Sequence, residues 1–179
     1  MLLRNAVLAG VTLAYPPVVY WGLGRFEPRW MAFALLALAL VRMGAARQPL
    51  WRAAGMMTVL LAACTGLANA ALPLKLYPVL VNLAFGLLFA WSLARPPSAI
   101  ERIARLQYPD LDAAGVAYTR KVTWVWVGFF IFNGTLATTT ALWASDAIWA
   151  LYNGLVCYGF MGVLFAGEWL VRQRVMARG

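Results

Sequence analysis

The chain has 179 residues, of which 64% are hydrophobic and 12% charged, and its formal net charge is +9. Soluble domains carry roughly 45–50% apolar and about 25% charged residues, and a chain of this length has too little interior to bury so much apolar surface in water. The composition therefore excludes soluble enzymes, disulfide scaffolds and disordered chains. It predicts an all-α, polytopic transmembrane helix bundle that forms a single domain over residues 1–179.

The residue types that build common catalytic sites are scarce. The sequence contains no histidine, only two cysteines and only six acidic residues, and we find no nucleophile–base pair, phosphate-binding loop or metal-ligand cluster in it. We therefore expect no cofactor, no bound metal and no catalytic residues. The sequence favours a protein that is not an enzyme, and the alternative is a membrane enzyme that acts on lipid headgroups with Glu168, Asp110, Asp112 and arginines.

Six segments are candidates for crossing a membrane, which takes about 20 apolar residues in a helix. The second contains only twelve uninterrupted apolar residues, from Trp30 to Val41. Five spans and one re-entrant segment are therefore the alternative to six. The candidate spans cover about residues 5–24, 29–46, 53–73, 76–94, 122–144 and 147–170.

The distribution of basic residues predicts the orientation. If the N-terminus lies inside, twelve of the fifteen lysines and arginines fall on the inner side, and only Arg25, Arg29 and Lys75 fall on the outer side. Basic residues accumulate on the cytoplasmic side of membrane proteins and explain the net charge more simply than nucleic-acid binding does. We therefore expect a multi-pass protein of the bacterial inner membrane with both termini in the cytoplasm.

The cytoplasmic loop at 95–121 carries a helix signal. Ser98 followed by Glu101 matches a capping box, and Ala99, Ile103 and Leu106 share one face of the helix that would follow. This pattern predicts a short amphipathic helix on the inner leaflet, with a solvated loop containing one helical turn as the alternative. The basic residues expected to contact anionic headgroups are Arg102, Arg105, Arg120, Lys121 and Arg172.

Polar residues inside the predicted spans are the candidate substrate-binding residues. Their alternative role is to hydrogen-bond neighbouring helices to one another, which is common in membrane proteins without any further function. The functional hypothesis is a polar layer or small cavity open to the outer side. The candidates are Asn69, Asn82, Asn133, Thr140, Asn153 and Glu168.

The sixth segment has two distinct faces. Gly159, Gly162 and Ala166 form a nearly flat face, which predicts close packing against a neighbouring helix or against a second copy in a homodimer. Glu168 lies four residues before Arg172, a spacing that predicts an ion pair within the helix. Ala62, Gly66 and Ala70 form a similar flat stripe on the third segment.

Two stretches carry a family resemblance: YTRKVTWVWVGFFIFNGTLA at 118–137 and WALYNGLVCYGFMGVLFAGEWLVRQRV at 149–175. They resemble a family of small bacterial inner-membrane proteins often encoded beside fatty-acid-like and aryl-polyene biosynthesis genes. More distantly, the length and order of spans are similar to intracellular septation protein A. The resemblance implies a role in envelope or polyene-lipid assembly and no known catalytic residues. The family-typical residues it implies are Arg120, Asn133, Trp149, Tyr152, Asn153, Gly154, Glu168 and Arg172.

These observations lead to two main functional hypotheses. The first is a non-enzymatic accessory or scaffold in envelope-lipid or aryl-polyene biosynthesis, whose basic loops contact anionic lipid headgroups or cytosolic biosynthetic enzymes. The second is a small transporter or flippase for an amphiphilic substrate, which would use the asparagine–threonine layer. The expected partners are thus the lipid bilayer, cytosolic enzymes and a second copy of the chain, and not nucleic acid.

Overall fold

The computed structural model describes residues 17–23, 25–33, 36–37 and 49–176. This part of the chain is helical between short turns and contains no β-strand, which confirms the all-α prediction for the described residues. The predicted spans at 5–24 and 29–46 fall largely outside the described residues, so the count of six spans stays a prediction.

The helices follow one another with short connections. Helical residues also occur at 17–23 and 28–33, on either side of a turn. The elements are α1 (Pro49–Ala68), α2 (Leu72–Lys75), α3 (Tyr77–Ala94), α4 (Ala99–Ala104), α5 (Ala113–Trp143), α6 (Asp146–Leu151), a π-helical turn (Tyr152–Val156) and α7 (Cys157–Met176).

Among the described residues, three helical stretches are long and apolar enough to cross a membrane: Leu72–Ala94, Ala113–Trp143 and Asp146–Gln173. They correspond to the predicted fourth, fifth and sixth spans. The third predicted span corresponds to α1, which contains a shorter apolar stretch at Val59–Ala68. The fold thus defines the chain as an all-helical protein compatible with a membrane location.

Two helices end or begin at other residues than the predicted spans do. The third segment was expected to continue to residue 73, but α1 ends at Ala68 and Asn69 has a φ of 46°. Asparagine tolerates this left-handed conformation, which commonly ends a helix. The fifth segment was expected to begin at 122, but α5 begins at Ala113, because the Asp112 carboxylate accepts a hydrogen bond from the Gly115 amide at 2.8 Å and caps the helix.

The described residues form two compact units. The first contains those up to Tyr77 together with Ala137–Tyr158, and the second contains Pro78–Leu136 and those from Gly159 onward. In the first unit, a core of Val19, Leu74, Ala141 and Trp149 is buried. A Cβ placed on Gly66 would lie 3.8 Å from the Ala32 Cβ. The small-residue stripe predicted on the third segment therefore does face a neighbouring helix at Gly66.

Aromatic side chains hold the second unit together. Trp126 of α5 packs against Phe165 of α7 with ring centroids 4.7 Å apart, and Phe130 packs against Phe85 and Phe89 of α3 at 5.7 and 5.2 Å. Aromatic pairs of this kind stabilise packing beyond the area they bury.

The flat face predicted on the sixth segment does not pack as expected. Gly159, Gly162 and Ala166 are exposed, and a Cβ at either glycine would meet no described atom within 4 Å. The contacts of α7 with α5 are made instead by Phe160, Phe165 and Glu168, none of which belongs to this flat face. Among the described residues no helix therefore packs against these glycines, and packing against a second copy of the chain stays a prediction.

Candidate functional site

Asn82 and Asn133 form a direct pair in the second unit. The Asn133 Nδ2 donates to the Asn82 Oδ1 at 2.9 Å, and the Asn82 Nδ2 donates to the Pro78 carbonyl oxygen at 2.8 Å. Both asparagines are buried, with exposed fractions of 8% and 5%. A Cβ on Gly134 would lie 3.3 Å from the Asn82 Cβ, so the absence of a side chain at Gly134 allows α3 and α5 to approach closely. The pair thus links two helices across a buried contact.

Asn153 lies in the π-helical turn of the first unit. Its Nδ2 donates to the Trp149 carbonyl oxygen at 2.9 Å and to the Thr140 Oγ1 at 3.3 Å, while the Cys157 Sγ donates to the Asn153 carbonyl oxygen at 3.1 Å. A π turn disrupts the usual backbone ladder, and here side chains bond to the Asn153 carbonyl within the turn and to the Trp149 carbonyl in α6 just before it. No local sequence pattern predicts this turn, because the Asn153-Gly154 pair also fits an ordinary helix.

Asn69 hydrogen-bonds a backbone amide and none of the other candidates. Because α1 ends at Ala68, Asn69 is in a turn and not within a helical span as predicted. Its Oδ1 accepts a hydrogen bond from the Arg29 backbone amide at 3.3 Å. The side chain therefore connects the end of α1 to the segment at 28–33.

Glu168 has two partners in the second unit. The Arg172 Nε lies 3.9 Å from the Glu168 Oε1, which confirms the predicted ion pair within the helix. The Tyr118 hydroxyl lies 3.2 Å from the same carboxylate oxygen and 3.3 Å from the Glu168 carbonyl oxygen, and it can donate to either. Tyr118 was missed, because it was assigned to the loop and is 50 residues away in sequence.

Hydrogen bonds hold the first turn of the loop helix α4 in place. The predicted capping box is confirmed: the Ser98 side chain accepts from the Glu101 amide, and the Glu101 side chain accepts from the Ser98 amide. The next two amides also have partners, since that of Ala99 donates to the Ser92 Oγ at 2.8 Å and that of Ile100 donates to the Thr123 Oγ1 at 3.4 Å. The first turn of α4 is therefore bound to both α3 and α5.

The buried and exposed faces of this loop differ in character. Glu101 is only 6% exposed and accepts two hydrogen bonds from the Arg105 guanidinium, at 3.0 and 2.9 Å. Ile103 and Leu106 are 59% and 84% exposed. The Arg102 Nε donates to the Pro97 carbonyl oxygen at 2.9 Å, which holds this exposed arginine beside the same loop. The loop therefore presents apolar and cationic side chains together.

The predicted candidates thus fall into separate groups. Asn82 pairs with Asn133 in the second unit, Asn153 pairs with Thr140 in the first, and Glu168 contacts Tyr118 and Arg172. Every buried side-chain nitrogen or oxygen among the described residues has a hydrogen-bond partner. No group of three or more metal-ligating side chains occurs within the part of the chain that the structure describes. Arg120 and Lys121 are exposed on α5.

Comparison of the chain with protein-family models, curated proteins and solved structures finds no match. The function is therefore argued from the chain's own residues.

Proposed function

We propose that the chain is a six-span protein of the bacterial inner membrane, with both termini in the cytoplasm, that serves as a non-enzymatic accessory or scaffold in envelope-lipid or aryl-polyene biosynthesis. The three long apolar helices support a membrane protein. The bias of basic residues supports the orientation. The resemblance of residues 118–137 and 149–175 supports the biosynthetic role.

The proposal of a scaffold depends mainly on the loop between α3 and α5. Its first turn is bound by Ser92 and Thr123, and the buried Glu101 is paired with Arg105. A solvated linker has no need of buried polar contacts to two neighbouring helices. These contacts hold the loop in one shape, and a surface that binds a lipid or another protein needs such a fixed shape.

The exposed side of this loop has the chemistry expected of a contact surface at an anionic membrane. Ile103 and Leu106 provide apolar contacts, and Arg102 provides positive charge beside them. Basic residues near the cytoplasmic leaflet each contribute about 1 kcal/mol of attraction to anionic lipid. In our proposal, this surface lies on the inner leaflet and presents the arginines to headgroups or to cytosolic enzymes of the pathway.

The matched variants Leu106→Asp and Gln107→Asp test the role of this surface. Both add one negative charge at adjacent exposed positions, but only the first removes an exposed apolar side chain. In a strain lacking the gene, we expect Gln107→Asp to restore the wild-type lipid and pigment profile and Leu106→Asp to fail. A tagged wild-type chain should recover biosynthetic enzymes from detergent extracts, and the Leu106→Asp variant should not.

Two results would contradict the proposal. One is a deletion strain with an unchanged lipid and pigment profile together with a wild-type chain that recovers no biosynthetic or division protein. The other concerns topology: a reporter fused to either terminus that is active in the periplasm would contradict the proposed orientation.

The transporter or flippase stays an alternative prediction. It requires the intramembrane amides to be available to a substrate, whereas Asn82, Asn133 and Asn153 each donate to a protein acceptor. No contact in either unit favours it over the accessory role.

A further inference from the structure

An open cavity of about 350 Å³, much of whose lining is exposed, lies in the first unit. Its lining residues are Tyr20, Trp21, Leu23, Arg25 and Asp146. Small-molecule sites have volumes of about 300–1,000 Å³ and combine apolar walls with a few polar groups. The volume of this cavity lies at the lower end of that range, and its lining combines aromatic and charged side chains, although the cavity is open to the surroundings.

Arg25 supplies a cation whose charge is not balanced by an ion pair. Its Cζ lies 4.5 Å from the centroid of the Trp21 ring, and no described carboxylate pairs with it. Arg29, four residues further on, pairs instead with Glu27. Stacking on an aromatic face orients a guanidinium while its N–H groups stay available as donors.

The acidic wall of the cavity is already neutralised. Asp146 pairs with Lys75, whose side chain is only 12% exposed. The Lys75 carbonyl oxygen accepts a hydrogen bond at 3.1 Å from the Nε1 of Trp149, which is fully buried. Asp146 can therefore accept a hydrogen bond from a ligand while Lys75 balances its charge. Arg25 leaves the cavity with one uncompensated positive charge.

We propose that this cavity binds the phosphodiester headgroup of a phospholipid. The Arg25 guanidinium donates to the phosphate oxygens, since its planar fork matches phosphate geometry. Asp146 accepts from a hydroxyl or ammonium group of the headgroup. Trp21 and Tyr20 are half exposed, as suits aromatic rings at the level of headgroups. The proposal rests on the membrane location but is independent of the accessory role in biosynthesis.

The test uses the full chain in nanodiscs that contain phosphatidylglycerol with a photoactivatable headgroup at subsaturating concentration. After illumination and digestion with pepsin, mass spectrometry measures the labelled fraction of the peptide covering residues 17–25. Arg25→Gln is compared with Arg29→Gln, which removes the same charge four residues further on, from an arginine that already has a partner. We expect Arg25→Gln to lower labelling of this peptide about tenfold, because a hydrogen bond to a charged group contributes about 1.5 kcal/mol or more.

The outcomes separate specific binding from general attraction. Wild-type labelling in Arg29→Gln, with intermediate labelling in Arg25→Lys, would support the guanidinium as the phosphate ligand. Equal loss in Arg25→Gln and Arg29→Gln would overturn the proposal, as would full labelling in Arg25→Gln. If Arg25→Gln does not fold, the labelling of Arg25→Lys, which keeps the charge, is compared with that of Arg29→Gln instead. Competition by millimolar glycerol phosphate would assign the site to a soluble phosphate, and no competition would assign it to the lipid.

Discussion

The hydrogen bond between Asn133 and Asn82 allows a quantitative test of what the intramembrane asparagines do. Asn133→Ala removes the donor and leaves the Asn82 Oδ1 in a site where both side chains are less than one-tenth exposed. An unsatisfied buried polar atom costs about 1–3 kcal/mol, while interhelical hydrogen bonds in membranes are worth about 0.6 kcal/mol on average and at most about 1.7 kcal/mol. We therefore expect Asn133→Ala to destabilise the protein by about 1–2 kcal/mol.

A double-mutant cycle isolates the pair. Asn82→Ala, Asn133→Ala and the double variant would be unfolded thermally in detergent, where about 1 kcal/mol corresponds to a shift of about 2–4 °C for a chain of this size. We expect a coupling energy of about 0.6–1.7 kcal/mol. The control cycle combines Asn82→Ala with Thr123→Ala. Thr123 lies on the same helix, ten residues and about 15 Å before Asn133, so the two effects should add.

A coupling energy near zero would refute the structural role of the pair, because the two amides would then not depend on each other. Loss of transport of an amphiphile in Asn133→Ala, with unchanged thermal stability, would instead support the alternative function.

Three further predictions concern other contacts. Ser98→Ala removes the cap of α4 and should lower the stability of this helix by about 1 kcal/mol. Trypsin should then cleave the loop faster than it does in the wild-type chain. Tyr118→Phe removes the hydroxyl bound to Glu168 and should lower the unfolding temperature by an amount equivalent to about 0.5–1.5 kcal/mol; no change would argue against that bond. Gly134→Leu should destabilise by about 1–3 kcal/mol through overpacking, whereas Gly128→Leu, where a Cβ meets no described atom within 4 Å, should be neutral. Equal effects at the two glycines would contradict the close approach of α3 and α5.

The sequence predicted well those features that depend on residues close together in the chain. The capping box of α4 depends on Ser98 and Glu101, which are three residues apart, and the ion pair in α7 depends on Glu168 and Arg172, which are four apart. The three long apolar stretches are equally local, since length and composition define them. The positions of these features needed no knowledge of tertiary contacts.

Helix ends and packing faces were predicted less well, for physical reasons. Asp112 was assigned to the loop, although its carboxylate starts α5, because aspartate is common both in loops and at helix starts. Asn69 ends α1 and does not lie within it. The glycines of α7 could equally face a helix or the surroundings, and only the positions of Phe160 and Phe165 show which face packs on α5. Sequence spacing defines a face but not its neighbour.

The amide side chain explains why asparagine recurs among the buried polar residues. An amide has two N–H donors and one carbonyl acceptor, so it can bond to its own helix and to a neighbouring one at the same time. Asn82 donates to the Pro78 carbonyl while accepting from Asn133, and Asn153 donates to both the Trp149 carbonyl and Thr140. A substrate that displaced either set of hydrogen bonds would have to form equivalent bonds itself. Otherwise a buried polar group would be left unpaired, which costs about 1–3 kcal/mol. Any substrate of these asparagines must therefore carry donors and acceptors of its own, which an unsubstituted alkyl or polyene chain does not.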